Sequence, residues 1–334
     1  MSRTERHAEV SVALARLTDG EIGELLAAGV PLGTGIGGVT VLAQVAGTPV
    51  FVKRIPLTVL ELAHPGSTAN LFGLPTYLQY GVGSPGLSAW RELRAHEATT
   101  AAMLQGGPAF FPLLYHSRIQ PRVPAAVQDL SEHDTRWRDL PSARARVRAL
   151  EQATSSLTLF LEYAPVTLSC WLAQHPFEEA IPVAEHGLLS AAEALADNGL
   201  VHLDAHPNNV VCDGDRLLLT DFGLVTSAGF DLDEAERLFV ERHALHDRAY
   251  VMTQLVNWAV QTAVPELGSP AVRNDWITSR PDEGGVPPVL RDLLDRWAAV
   301  AVVVNAFYWR LHAGDLLAPY PEREIARALG QAQP

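Results

Sequence analysis

Alternating apolar and polar positions in the first half of the chain predict β-strands. β-branched residues alternate with polar ones over 39–45 and continue over 50–53, and the Ala-Gly-Thr-Pro sequence between these stretches is a turn. Two further apolar stretches, 110–114 and 157–164, predict the fourth and fifth strands of this region. The first part of the chain is therefore expected to form a sheet.

The pattern changes to a helical period later in the chain. Residues 186–198 follow a helical pattern that Gly199 closes, and the most apolar run, 297–309, predicts a core helix. Between them, residues 210–212 and 216–219 read as two short strands around an Asp-Gly turn. The second part is thus expected to be mostly helical, with one small hairpin.

Composition restricts the class of protein. The chain has 334 residues, enough for two domains around one cleft, and its formal net charge of −13 argues against nucleic acid as a partner. The first seven residues are too polar to open a signal peptide, and the run 297–309 is too short to span a bilayer, so we expect a cytoplasmic protein without membrane contact. Cys170 and Cys212, the only cysteines, indicate neither a disulfide framework nor a metal site.

One stretch carries a specific chemical pattern. His202 to Asn209 reads H-x-D-x-x-x-x-N, and Asp221-Phe222-Gly223 follows the small hairpin. Phosphoryl transfer from ATP needs a carboxylate at the acceptor hydroxyl, and an amide and a second carboxylate for magnesium. Asp204, Asn209 and Asp221 supply these groups. The two histidines of the stretch fall in a loop rather than on one helix face, so zinc is not indicated.

Glycines upstream add a second element. Gly33, Gly35 and Gly38 form a G-x-G-x-x-G, which by itself is a weak signal shared with dinucleotide-binding units. A dinucleotide unit requires a helix directly after the glycines, whereas here a strand follows and a returning strand ends near Lys53. This order favours a glycine flap over ATP phosphates.

With these motifs the chain resembles the protein-kinase-like superfamily, which also contains aminoglycoside and choline phosphotransferases, over residues 30–260. More narrowly, residues 67–75, 79–84 and 202–206 resemble small stand-alone bacterial atypical Ser/Thr kinases of unassigned substrate. The resemblance implies an α+β, two-lobed fold. An N-terminal lobe with an antiparallel sheet would span residues 1–163, and a mostly helical C-terminal lobe would span 164–334.

The resemblance also implies ATP and Mg²⁺ as cofactors and a role for each motif residue. Asp204 would accept or orient the proton of the acceptor hydroxyl, and Lys53 would hold the α and β phosphates with the glycine flap. Asn209 and Asp221 would bind the magnesium ion. His206 stands where protein kinases usually have Lys and aminoglycoside-type phosphotransferases have His, and it can donate a hydrogen bond to the transferring phosphate.

Two contacts of the nucleotide site follow from the same resemblance. Lys53 should pair with a glutamate on the next helix, for which Glu92 and Glu97 are candidates, and counting back from the predicted fourth strand favours Glu97. Backbone groups at Glu162 and Ala164 would bind adenine.

Departures from the common kinase pattern suggest unusual regulation. Leu203 replaces the Arg that normally pairs with a phosphorylated activation loop, so we expect no activation by loop phosphorylation. No Ala-Pro-Glu lies between Gly223 and Asp247, where the large buried helix is expected to begin, so the usual peptide-docking platform is truncated or replaced.

Two insertions remain open in their interpretation. The region between Lys53 and Glu97 is about twice its usual length. Its extra part is either an ordered loop near nucleotide or acceptor, or a packing extension of the first lobe. The second insertion, over 120–156, is read mainly as a solvated helix, with substrate contact as the alternative. Its arginines are Arg136, Arg138, Arg144, Arg146 and Arg148.

Three hypotheses describe the acceptor. The first is a Ser/Thr kinase acting on a protein or peptide, for instance the partner of a separate lyase that dehydrates a precursor peptide, as in lanthipeptide pathways. The second is a small-molecule phosphotransferase with an acidic pocket, although an exposed acidic loop is the simpler explanation of its four candidate residues. The four candidates are Asp231, Asp233, Glu234 and Glu236. The third is a non-catalytic pseudokinase, which the presence of every motif residue disfavours.

Overall fold

The structure is a computed structural model that describes residues 1–35, 38–121, 139–214, 216–280 and 285–332. The chain divides into two compact units. The first unit contains Met1–Tyr163 and Asp221–Glu236, and the second contains Ala164–Thr220 and Arg237–Pro334. The predicted division at residue 163 had assigned the segment after Thr220 to the C-terminal part, whereas Asp221–Glu236 belongs to the first unit.

The first unit is built on an antiparallel sheet of five strands in the order β1-β2-β3-β5-β4. The strands are β1 (Val30–Gly35), β2 (Gly38–Val45), β3 (Thr48–Leu57), β4 (Leu114–Pro121) and β5 (Ser155–Glu162), with a short β10 (Thr226–Ser227) later in the chain. The helices are α1 (Arg3–Arg16), α2 (Asp19–Ala28), α3 (Val59–Ala63), α4 (Ala89–Leu104) and α5 (Pro141–Glu151), with 3₁₀ turns at Thr76–Tyr80 and Phe222–Leu224. With helices packed beside an antiparallel sheet, the fold is α+β, as the sequence predicted.

Two amino-terminal helices, whose packing on the sheet the sequence pattern did not indicate, cover part of it. Both α1 and α2 begin with a capping box, in which Ser2 or Thr18 and a glutamate three residues later satisfy the first backbone N–H groups. Their apolar residues join the core with strand residues such as Val52 and Phe160, which are fully buried. Burial of this apolar surface stabilises the sheet and the two helices that cover it.

The fourth strand lies later in the sequence than predicted. β4 covers Leu114–Pro121 and pairs with β5, whereas the apolar residues 110–113 form the loop before it. Pro112 has no N–H for a ladder, and Phe111 and Leu113 are buried by packing rather than by strand pairing. The apolar pattern therefore marked buried side chains correctly but assigned the wrong backbone conformation.

The second unit is mostly helical. Its helices are α6 (Leu168–Gln174), α7 (Phe177–Asp197), α8 (Glu234–Arg242, whose first three residues belong to the first unit), α9 (His246–Ala263), α10 (Pro270–Ser279), α11 (Pro288–His312) and α12 (Glu322–Gln331). Its strands are β6 (Val166–Thr167), β7 (Leu200–Val201), β8 (Val210–Asp213) and β9 (Arg216–Leu219). The predicted hairpin is confirmed as β8–β9, in which Val211 pairs with Leu218.

The core of the second unit lies between long helices. α11 contains the apolar run 297–309, and ten of its residues, from Leu290 to Leu311, are buried, so the predicted core helix is confirmed. α9 packs on α11 and on α7 and begins at His246, where the sequence predicted a large buried helix. Within the described ranges, no helix combines the length and the apolar character needed to cross a membrane.

Candidate functional site

Lys53 lies at the centre of a buried charged cluster in the first unit. Its Nζ donates to Glu92 Oε1 at 2.6 Å and to Asp221 Oδ1 at 2.7 Å. The side chains of Lys53 and Glu92 are 9% and 4% exposed, whereas that of Asp221 is 47% exposed. We call these three residues the Lys53 cluster. It brings together β3, α4 and the segment that begins two residues after β9, which lie far apart in sequence.

The cluster keeps Lys53 charged. Burial alone would lower the pKa of the Lys53 ammonium, but the carboxylates of Asp221 and Glu92 outweigh burial and raise the pKa above its ordinary value. Lys53 is therefore a fixed positive charge at neutral pH, beside a carboxylate that is partly open to solvent. Such a charge can hold an anionic group such as phosphate.

The choice of Glu97 as the partner of Lys53 is wrong. Glu92, in the first turn of α4, makes the contact, while Glu97 is exposed and pairs with Arg94 at 2.9 Å. Five residues turn a helix by about 140°, so the two glutamates point in different directions. The error came from counting back from the misplaced fourth strand.

Three glycines of the motif lie in two paired strands, Gly33 and Gly35 in β1 and Gly38 in β2. β1 pairs antiparallel with β2, with Gly35 opposite Gly38, and a strand rather than a helix follows the glycines. Gly38 has φ of 116°, and a Cβ there would lie 2.0 Å from the carbonyl oxygen of Arg54, so only glycine fits. A Cβ on Gly33 would meet only an ordinary contact with Thr40. Residues 36 and 37 lie outside the described residues.

The Asp-Phe-Gly segment has a special backbone. Asp221 adopts a left-handed conformation with φ of 63°, and its Oδ1 also accepts a long hydrogen bond from the Gly223 N–H at 3.4 Å. Phe222 is fully buried and packs edge-on against His96 of α4, with 4.7 Å between ring centroids. The buried ring anchors the segment, and Asp221 is turned toward Lys53 at the cost of backbone strain.

The loop His202–Asn209, here called the Asp204 loop, carries the second set of predicted residues and belongs to the second unit. The amide nitrogen of Asn209 donates to the backbone oxygen of Asp204 at 2.9 Å and to its Oδ2 at 3.1 Å. His206 Nε2 lies 3.8 Å from Asp204 Oδ1, and both side chains are about one-third exposed. Asp204, His206 and Asn209 thus lie together, and the Asp204 carboxylate is partly accessible to solvent.

Asp247 positions the Asp204 loop, a role that sequence reasoning missed. This buried carboxylate accepts hydrogen bonds from the His202 N–H at 2.7 Å and the Leu203 N–H at 2.9 Å. Leu203 has φ of 69°, so the carboxylate stabilises a strained turn directly before Asp204. In the sequence, the signal for this role was an Asp at the start of a predicted buried helix.

A histidine and a tyrosine lie next to Asp247. His246 Nδ1 is 3.3 Å from Asp247 Oδ1, and His246 Nε2 is 2.9 Å from the hydroxyl of Tyr308. His246 is 2% exposed, and its ring stacks on Tyr250 at 5.3 Å. The anchor of the Asp204 loop is therefore connected to α11.

The residues predicted to bind magnesium belong to different units, and each has suitable chemistry. Asp221 presents a carboxylate that is partly exposed. Because the amide nitrogen of Asn209 is turned toward Asp204, its amide oxygen is the atom that can coordinate a hard cation. Among the described residues, no group of three or more His, Cys, Asp or Glu side chains could hold a metal ion. Each of the two residues therefore offers an oxygen of the type that a magnesium ion prefers.

The predicted adenine contacts lie where β5 ends. Glu162 is its last residue, and its N–H donates to the Leu113 carbonyl at 2.8 Å. Its side chain pairs with Arg3, whose Nε is 3.0 Å from Oε1. The Glu162 N–H is thus already bound to a backbone partner. Ala164 is the first residue of the second unit.

The sequence predicted that two groups of charged residues would be solvated, and both are partly buried. Arg144 and Arg148 of α5 are exposed, but Arg146 is 3% exposed and lies 2.8 Å from Glu61 of the first insertion. In the acidic group, Glu236 is buried against Arg91 at 2.7 Å. Arg136 and Arg138 lie outside the described residues.

Comparison with known proteins adds no family to these observations. No protein-family model matches the chain, and no curated protein matches it at a significant level.

Proposed function

We propose that this protein is an ATP- and magnesium-dependent kinase of two-lobed, protein-kinase-like architecture. The first unit would act as the nucleotide-binding lobe and the second as the acceptor-binding lobe. The Lys53 cluster carries the proposal, because a buried lysine held by Glu92 and Asp221 is the arrangement that phosphoryl transfer requires of these motifs. We expect the protein to act in the cytoplasm.

Each residue has a role in this reaction. The glycine hairpin and Lys53 orient the phosphates, and Asp204 orients the acceptor hydroxyl and takes its proton. A magnesium ion held by Asn209 and Asp221 would neutralise charge on the phosphates. His206 donates a hydrogen bond to the phosphoryl group beside Asp204.

We propose Ser/Thr of a protein or peptide as the acceptor, including a precursor peptide that a partner lyase then dehydrates. An acidic pocket for an amino-bearing small molecule is less well supported, because three of its four candidate residues have internal partners. Glu236 binds Arg91, Asp231 Oδ2 accepts from the Thr68 hydroxyl at 3.2 Å, and Asp233 Oδ1 accepts from the Glu236 N–H at 2.8 Å.

The test is transfer of labelled γ-phosphate from Mg-ATP, screened against Ser/Thr peptides and against small hydroxyl metabolites. The wild-type protein is expected to label an acceptor, and Asp204→Asn is expected to reduce the rate about 10²–10⁴-fold, the usual contribution of a general base. Asp213→Asn makes the same change in the following hairpin, at a side chain that is 45% exposed, and should leave the rate unchanged.

The outcomes separate the hypotheses. Labelling of peptides alone supports the proposed acceptor, and labelling of metabolites alone replaces it with the small-molecule phosphotransferase. Binding of Mg-ATP without ADP release in any reaction would establish a pseudokinase and contradict the proposal.

A further inference from the structure

A buried arginine next to Glu92 joins three parts of the first unit. Arg91 is 1% exposed, although arginine is rarely buried without specific partners. Its Nε donates to the Thr68 carbonyl at 2.6 Å, and its Nη2 donates to Glu236 Oε1 at 2.7 Å. Its guanidinium also lies 5.7 Å from the centroid of the Phe230 ring. Arg91 thus connects α4, the first insertion and the segment that follows Asp-Phe-Gly.

The first insertion makes a second contact with the same segment. The Thr68 N–H and hydroxyl both donate to Asp231 Oδ2, and the Asp231 N–H donates to the Thr68 hydroxyl at 2.8 Å. Asp233 and Glu236 cap each other at the start of α8, which fixes the position of the Glu236 carboxylate. The segment is therefore held at two points that are both built from unmodified side chains.

Arg91 and Glu92 are adjacent in α4, and the segment that ends at Glu236 begins at Asp221. The two ends of the Arg91–Glu236 pair therefore lie on the two elements that supply the carboxylates of the Lys53 cluster. We infer that Arg91 and Glu236 are positioning residues that hold Glu92 and Asp221 against Lys53 without phosphorylation of this segment. An effect of this positioning on catalysis rests on the proposed function, but the positioning itself does not.

The chemistry of the pair explains why no modification is needed. An added phosphate orders such a segment by giving an arginine a negative partner. Here Glu236 already provides that partner, and both side chains are 2% exposed, so water and salt screen the pair little. From Leu203 we expected no activation by phosphorylation of this segment. The Arg91–Glu236 pair extends that expectation, because the Glu236 carboxylate permanently takes the place that a phosphate would have.

The test measures Lys53 directly. A small amine-acylating reagent, followed by peptide mass mapping, gives the rate at which Lys53 is modified, and steady-state transfer gives kcat and the KM for ATP. Glu236→Gln keeps the side-chain shape but removes the charge. We expect acylation of Lys53 to rise severalfold, because Nζ is held less firmly by Glu92 and Asp221 and is more often accessible to the reagent. A rise in the KM for ATP should accompany it.

Two controls separate positioning from general destabilisation. Arg94→Gln breaks an ion pair on the exposed face of the same helix, where the partners are 55% and 41% exposed, and should change neither measurement. The exchange Arg91→Glu with Glu236→Arg restores opposite charges and should move the acylation rate back toward wild type. A thermal-unfolding curve for each variant confirms that it is folded at the assay temperature.

The results distinguish this inference from the proposed function. Unchanged acylation of Lys53 in a folded Glu236→Gln variant would overturn the inference, even if the wild type is an active kinase. Increased acylation in a protein that transfers no phosphate would support the positioning role and count against the kinase. If wild-type activity depends on phosphorylation between Ser227 and Glu236, the inference is wrong.

Discussion

The Lys53 cluster and the Asp204 loop are held in place by different kinds of interaction. In the first unit, Lys53 with Glu92, Arg91 with Glu236, and Arg146 with Glu61 are buried pairs of opposite charge. In the second unit, the Asp204 loop is held by backbone N–H groups that donate to Asp247. A second-unit arginine pair such as Arg296 with Glu185 is more exposed, at 37% for the arginine.

The difference predicts different responses to mutation. A buried pair contributes little net stability compared with apolar residues of similar size, but removing one partner leaves a charge without compensation. A buried carboxylate that accepts backbone hydrogen bonds instead fixes a conformation that the backbone would otherwise avoid. The first unit should therefore be sensitive to loss of charge, and the second to loss of hydrogen-bond acceptors.

The largest effect is expected from Arg146→Met, which leaves Glu61 buried without its cation. Burial alone would raise the pKa of Glu61, but Arg146 and Thr58 lower it, so the wild-type carboxylate is charged. We expect the free energy of unfolding to fall by about 3–5 kcal/mol. Denaturant unfolding measures it, and Arg144→Met, at an exposed position two residues earlier, should change little. Equal effects of the two substitutions would contradict the assignment of a buried pair.

Glu92→Gln tests the cluster itself and comes next. Loss of the carboxylate removes the partner that fixes Lys53 Nζ, and misplacement of a catalytic group by about 1 Å typically costs about 100-fold in rate. We expect kcat/KM for ATP to fall by this factor. Glu97→Gln, which affects only an exposed pair with Arg94, should retain wild-type kinetics. A larger loss in Glu97→Gln than in Glu92→Gln would restore the assignment made from sequence.

The candidate residues were easier to identify from the sequence than their contacts. Lys53, Asp204 and Asn209 could be identified as candidates because their residue types and spacing are set by local elements, a strand and one loop, although β3 continues past Lys53 to Leu57 instead of ending near it. The choice between Glu92 and Glu97 depended on where a distant strand begins. That boundary follows from tertiary packing of Phe111 and Leu113, which an apolar pattern alone does not distinguish from strand pairing.

The burial of charged residues is likewise difficult to predict from the sequence. Arg146 lies between exposed Arg144 and Arg148 in sequence, and nothing local marks it as buried. Its burial depends on Glu61, which lies more than eighty residues earlier in the chain. Asp247 was likewise recognised only as the start of a helix. A buried ion pair or an anchor of this kind is defined by two distant partners, so a single sequence does not reveal it.

Asp247→Asn tests the second unit. One oxygen acceptor becomes an amide nitrogen, so a buried backbone N–H of His202 or Leu203 loses its partner, which costs about 1–3 kcal/mol. Measurement of unfolding at neutral pH should show this loss, together with a lower kcat because Asp204 is displaced. If stability falls but kcat does not, Asp247 supports the fold without positioning the Asp204 loop.

The pH dependence of the same variant gives an independent check. Burial alone would raise the pKa of Asp247, but hydrogen bonds from His246 and the His202 N–H lower it below its ordinary value of 3.8. A carboxylate with a lowered folded pKa stabilises the fold above its unfolded pKa and loses this contribution as the pH falls through the folded pKa. Since Asn does not titrate, the stability difference between wild type and Asp247→Asn should be full above about pH 5 and shrink below about pH 4.

Tyr308→Phe is expected to give the smallest effect, and it tests how far the anchor of the Asp204 loop extends beyond Asp247. The hydroxyl of Tyr308 is 2.9 Å from His246 Nε2, and its loss should cost about 0.5–1.5 kcal/mol of unfolding free energy. If His246 transmits this contact to Asp247, the double variant with Asp247→Asn should lose less than the sum of the single losses, because neighbouring residues in one network are not additive. Additive losses would mean that the anchor of the Asp204 loop ends at Asp247. In that case the two regions would differ further: the Lys53 cluster would be held by pairs that couple α4 to other elements, and the Asp204 loop by the Asp247 carboxylate without a wider network.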